Sequence, residues 1–135
     1  MPRVFVDALH YIAVLVPSDD LHDKAMRVAG ERMAARFVTT DAVLTEVLTF
    51  VANRGVEGRL QAVGLVDDLM ADLDTDVVRQ TQQLWDRALD LYRRRLDKGY
   101  SLTDCMSMVV CADLGIAEVL SHDHHFEQEG FAILL

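Results

Sequence analysis

The sequence predicts an α/β fold, a three-layer sandwich with a central parallel sheet of four or five strands flanked by helices. Short β-branched and aromatic runs at 3–7, 37–39, 116–121 and 131–134 have strand length, and they alternate with longer segments of helical period. The junctions carry helix-start residues such as Asp19, Thr40, Asp41 and Ser101, and helix-stop glycines such as Gly55 and Gly115. Strands separated by helices pair in parallel with helices on both faces, because each crossover must return across the sheet.

Arg3-Val4-Phe5-Val6-Asp7 reads as a buried strand closed by an acid. Residues 8–16 are apolar and suit a short helix stopped by Pro17. Asp19 or Asp20 caps a helix over 20–35, and Phe37-Val38-Thr39 is the second strand. Thr40 or Asp41 caps a helix to Asn53, ended by Arg54-Gly55. Leu60, Val63, Val66, Leu69 and Leu73 give 57–72 a helical period, followed by a short strand at 71–74. Thr75 caps a long helix over 76–97, whose apolar stripe includes Leu84, Trp85, Ala88, Leu91 and Tyr92. A helix over 102–114 ends at Gly115, 116–121 is a strand, 122–130 is a loop with a turn of helix, and 131–134 is the last strand.

A chain of 135 residues can bury one substantial core, so a single domain over 1–135 is expected. No apolar run reaches the ~20 residues of a membrane span, and the N-terminal run has an acid within it and no small-residue cleavage site. Cys105 and Cys111 are six apart on one expected helix, on different sides of it, which suits free thiols in a reducing cytoplasm. The formal net charge of −9 argues against holding nucleic acid by bulk attraction. It leaves open both a nuclease whose carboxylates are neutralised by metal ions and an enzyme with a small-molecule substrate.

Ligands of such sheets bind beyond the carboxyl ends of the strands. Asp7 closes the first strand and Asp123 stands just past the strand at 116–121, so both fall on that edge. Glu46 lies in the helix after the second strand and Asp104 in the first turn of the helix that leads into the fourth. Taken singly, Asp104 also reads as a capping-box residue with Ser101, Glu46 as a polar position on an amphipathic helix, and Asp123 as a solvated loop acid. Taken together, four carboxylates at one edge repel unless a cation holds them, and all-oxygen ligands favour Mg²⁺ or Mn²⁺. The chemistry such a site performs is phosphodiester hydrolysis.

His122, His124 and His125 invite a zinc reading, but the cysteines lack CxxC spacing; loop histidines near the acidic edge, one of them binding phosphate or tuning Asp123, fit better. Arg93, Arg94, Arg95 and Lys98, with Arg87, form the densest basic run. Such a run is either a solvated helix face or a set of RNA-backbone contacts near the Tyr100–Asp104 segment.

Four stretches resemble the successive motifs of PIN domains, most closely those of the VapC-like toxin branch. They are Val4-Phe5-Val6-Asp7, the run from Thr39 to Leu48, Lys98-Gly99-Tyr100-Ser101-Leu102-Thr103-Asp104-Cys105-Met106-Ser107, and the run from Leu120 to Phe131. The resemblance covers nearly the whole chain. It implies a magnesium- or manganese-dependent endoribonuclease acting on RNA, with Asp7, Glu46, Asp104 and Asp123 as the acidic quartet and Ser107 as a supporting hydroxyl. It further implies a homodimer and a small antitoxin that blocks the site, with the 57–73 helix available as an interface. One departure stands out: the family commonly follows its first Asp with Thr or Ser, and Ala8 occupies that place. The alternative reading is therefore a catalytically weak or inactive PIN module that binds RNA or a protein. A phosphotransferase using Asp7 as nucleophile would want a second acid two residues on, where Leu9 stands.

Overall fold

The computed structural model describes residues 2–31 and 35–135. Its centre is a five-stranded, all-parallel sheet in the order β3-β2-β1-β4-β5. Strand β1 (Arg3–Val6) lies in the middle, between β2 (Arg36–Thr40) and β4 (Glu118–Leu120), and β3 (Thr75–Val78) and β5 (Ala132–Ile133) form the edges. Consecutive residues Val4, Phe5 and Val6 are all buried although they point to alternate faces, so helices cover both sides of β1. The chain lays down β1, β2 and β3 outward in one direction and then β4 and β5 in the other. The order therefore reverses between β1 and β4, and a crevice opens there at the carboxyl ends of the strands.

Helix α1 (Ala8–Leu15) begins at Asp7 and ends before Pro17. The next helix, α2 (His22–Glu31), starts later than expected; Asp19 instead closes the turn before it by accepting from the Leu21 amide at 2.8 Å. The expected extension toward residue 35 falls partly on 32–34, outside the described residues. Helix α3 (Asp41–Val51) is capped by Thr40, whose hydroxyl accepts from the Val43 amide at 3.1 Å. Helix α4 (Gly55–Ala71) packs on α3 and β3. Helix α6 (Leu102–Leu114) matches expectation, down to Gly115 at φ 66° as its left-handed C-terminal residue. Eight consecutive residues of α6, Asp104 to Cys111, are buried, and both cysteines are free. The short helix α7 (His124–Gln128) is the helical turn expected in the 122–130 loop.

The region around Thr75 corrects the sequence reading. Thr75 does not cap a helix and no strand occupies 71–74; Thr75–Val78 is itself β3, in register with Phe37–Thr40 of β2. The helix that follows, α5 (Gln82–Arg94), is capped by Thr81, which accepts from the Leu84 amide at 3.1 Å. Val77 and Val78 fit the apolar period of a helix, but they are β-branched and find a pairing edge on β2, and pairing wins. Asp41 then fastens the β3–α5 connection to the start of α3, accepting from the Gln80 amide at 3.1 Å and from Arg79 Nε at 3.0 Å. At its other end α5 stops at Arg94 rather than residue 97, and Gly99 at φ 73° turns the chain into α6. The fourth and fifth strands are likewise shorter than the runs that predict them.

Candidate active site

All four acids singled out from the sequence line one groove of about 750 Å³ at the switch point. Asp7 forms its floor: β1 delivers it to the carboxyl edge, and its amide donates to the Leu120 carbonyl of β4 at 3.1 Å. Glu46 projects from the α3 wall, one turn beyond Ala42, which also lines the groove. Asp104 enters from the first turn of α6. Its carboxylate accepts from the Ser101 amide at 3.0 Å while the Ser101 hydroxyl accepts from the Asp104 amide at 3.0 Å, a complete capping box. Asp104 thus completes the capping box expected of it and also lines the groove with the other three acids. Asp123 caps α7, accepting from the His125 amide at 2.9 Å.

The crowding has an electrostatic signature. Burial raises the Asp7 pKa from 3.8 to about 6; the Ser121 hydrogen bond opposes that rise, and the Asp104 and Asp123 charges add to it. Burial followed by the charges of Asp7, Asp104 and Asp123 raises half-buried Glu46 from 4.5 to about 7. Asp7 and Glu46 both feel the charges of Asp104 and Asp123, which disfavour their ionisation unless a cation joins the group.

Two supporting residues stand out. Ser121, fully buried just past β4, donates its hydroxyl to Asp7 Oδ2 at 2.9 Å and accepts from the Asp123 amide at 3.0 Å. It was not among the candidates from sequence; its signal was a hydroxyl residue two before Asp123 at a strand end. His125 places Nδ1 3.3 Å from Asp104 Oδ2 and 3.2 Å from Asp123 Oδ1, with its ring edge-to-face on Tyr100 at 5.2 Å. Ligand atoms of Asp104, Asp123 and His125 lie within 4.8 Å of one another, an arrangement able to hold a metal ion. Of the loop histidines, His125 is the one beside Asp104 and Asp123, whereas His124 pairs with Glu127.

Ser107 is buried one turn after Asp104 and donates to the Thr103 carbonyl at 3.0 Å. The basic run does not converge on the acids. Arg94 and Arg95 line a separate depression and are ion-paired with Asp90 at 3.0 Å and Glu129 at 2.9 Å, while Arg93 is exposed on α5. Lys98 precedes Gly99 at the groove rim, with its ammonium 3.7 Å from Asp97.

A parallel sheet flanked by helices, with an acidic quartet at its switch point, defines the class of the PIN-type α/β sandwich. The PIN domain family model matches residues 4–131, and the chain belongs to that family. Its fold is that of a VapC-like toxin: the crystal structure of Mycobacterium tuberculosis VapC20, a sarcin-ricin loop cleaving toxin, matches with a TM-score of 0.85. The two are 25% identical, and the match covers 96% of each chain. No curated protein matches the sequence.

Proposed function

We propose that this protein, read as a single PIN domain over 1–135, is a divalent-metal-dependent endoribonuclease that hydrolyses RNA phosphodiester bonds and serves as the toxin of a type II toxin–antitoxin pair. The observation that carries the reading is the meeting of Asp7, Glu46, Asp104 and Asp123 in one groove, with the carboxyls of Asp7 and Glu46 pushed up to about 6 and about 7. An all-carboxylate set of this kind suits a hard cation, Mg²⁺ or Mn²⁺, held by these four residues. When bound, such an ion supplies an activated water and stabilises charge on the phosphoryl oxygens. The protein's own part is orientation. Ser121 fixes Asp7, the capping box fixes Asp104, and the α7 turn fixes Asp123, so little has to rearrange as charge develops. Ser107, the supporting hydroxyl of the reading, lies one turn after Asp104 on α6 and donates to the Thr103 carbonyl.

Ala8 is the observation that favours a weak or inactive module binding RNA or protein. Against it stands Ser121, which gives Asp7 a hydroxyl partner from just past β4 where α1 supplies none. The likeness to VapC20 supports RNA as substrate, a small antitoxin as partner and a cytoplasmic setting. Among the described residues no helix is long and apolar enough to cross a membrane. Homodimerisation is supported by Val56, Leu60 and Val63, an exposed stripe at i, i+4 and i+7 on α4. Lys98, next to the rim, is the member of the basic run best placed for the RNA backbone; Arg93, Arg94 and Arg95 would meet only a longer substrate.

The test is cleavage of a mixed RNA pool by antitoxin-free protein with Mg²⁺ or Mn²⁺, alongside Asp7→Asn and Asp104→Asn. Cleavage that stops with chelator and in both variants is expected. Equal cleavage by the variants would remove the quartet as the active site, and no cleavage with either metal would leave the binding-module reading.

A further inference from the structure

The acids fill only the inner part of their groove. On the α3 wall, the lining positions Ala42, Glu46 and Phe50 fall at i, i+4 and i+8 and share one face, so Phe50 lies one turn, about 6 Å, outward of Glu46. Trp85, in the first turn of α5, lines the same groove. The two rings are 46% and 42% exposed, and the core does not need either: α5 packs inward through Leu84, Ala88 and Leu91. Arg54 holds its guanidinium 4.8 Å from the centre of the Phe50 ring. Among the described residues Arg54 has no carboxylate partner, whereas Arg79, near the same rim, is paired with Asp41.

We propose that Phe50 and Trp85 form a subsite that stacks an unpaired RNA nucleobase beside the acidic centre, with Arg54 meeting an adjoining phosphate. The proposal rests on the ribonuclease reading and adds to it the residues that hold a base free to splay into the groove. Three features support that occupant. Aromatic faces take bases of any identity and need them unstacked. The subsite is continuous with the acids, so a base held there brings its own backbone toward them. Finally, a chain of net charge −9 has no bulk attraction for RNA, so affinity must come from local contacts such as stacking and an arginine that no carboxylate neutralises among the described residues.

Trp85 is the single tryptophan of the chain, so its emission reports the subsite directly. Non-cleaving Asp104→Asn protein is titrated with a single-stranded oligoribonucleotide, its duplex, and the same strand with abasic central nucleotides. We expect quenching by the first and little by the other two. With labelled strand and anisotropy, Phe50→Ala and Trp85→Leu in that background weaken binding by about 5- to 150-fold each, and Trp85→Phe regains most of it. Both positions are half-exposed, and circular dichroism melts confirm that the variants fold. Unchanged affinity in Phe50→Ala and Trp85→Leu, or equal affinity for the abasic strand, overturns the subsite and leaves the aromatic walls to a protein occupant. Metal-dependent cleavage that is lost in Asp7→Asn but untouched in Trp85→Leu sinks the subsite alone; base-dependent quenching without any cleavage supports it and sinks the nuclease reading.

Discussion

The Ser121 hydroxyl donates to Asp7 Oδ2 across 2.9 Å, joining residues 114 positions apart in a place where both are buried. One oxygen does two jobs, because it also accepts from the Asp123 amide at 3.0 Å. Ser121→Ala removes both bonds and leaves two of the proposed ligands less oriented. Loss of a partner of this kind typically weakens metal affinity about 10- to 100-fold. Titration calorimetry with Mn²⁺ should show a drop in that range, with Ser121→Thr close to wild type. An unchanged Mn²⁺ affinity in Ser121→Ala would remove Ser121 from the site.

The raised carboxyls make metal-free stability pH-dependent. Asp7 titrates at about 6 in the folded chain against 3.8 ordinarily, and Glu46 at about 7 against 4.5. Between those limits the folded state holds more protons than the unfolded one, so this contribution is full below about pH 4 and is lost as pH rises toward 7. Asp7 accounts for about 3 kcal/mol of it. Burial lowers His10 from 6.5 to about 4 and works in the opposite sense below pH 6.5, so the curve to read is the difference from Asp7→Asn, in which His10 cancels. Relative to wild type, Asp7→Asn should gain stability as pH rises from 4 to 7 in chelator. Saturating Mg²⁺ or Mn²⁺ should shrink that gain.

The capping role of Asp104 and its proposed metal role are separated by two variants. Asp104→Asn keeps an oxygen for the Ser101 amide and should melt close to wild type while losing metal-dependent cleavage. Asp104→Ala also loses the bond from the Ser101 amide, while the Ser101 hydroxyl still accepts from the amide at 104; the loss costs about 1 kcal/mol, or a few degrees in Tm. Equal melting temperatures for the two would show that the carboxylate half of the capping box contributes nothing.

The apolar stripe on α4 bears on assembly. Leu60 is 62% exposed, and a carboxylate there should oppose packing of one α4 on another. Light scattering is expected to give a dimer mass for wild type and a monomer mass for Leu60→Asp, with unchanged circular dichroism. A dimer that survives Leu60→Asp would place the interface elsewhere.

The sequence by itself determined what is local. Asp7 and Asp123 are at the binding edge because β-branched runs end just before them, and Ser101, Asp104 and Gly115 bound α6 through hydrogen bonds within a few residues. Glu46 and Asp104 needed the family likeness to be read as partners of Asp7, since helical position alone also suits a surface or a capping acid. Tertiary structure decided the rest. Whether Thr75–Val78 is a helix or a strand depends on whether β2 offers an edge, and that energy is absent from the segment itself. Arg94 and Arg95 are turned away from the acids because Asp90 and Glu129 hold them, the second from 34 residues away. The bond from Ser121 to Asp7 and the sharing of one groove by Phe50 and Trp85 exist only once distant segments pack, because side-chain partners that far apart leave no mark on local periodicity.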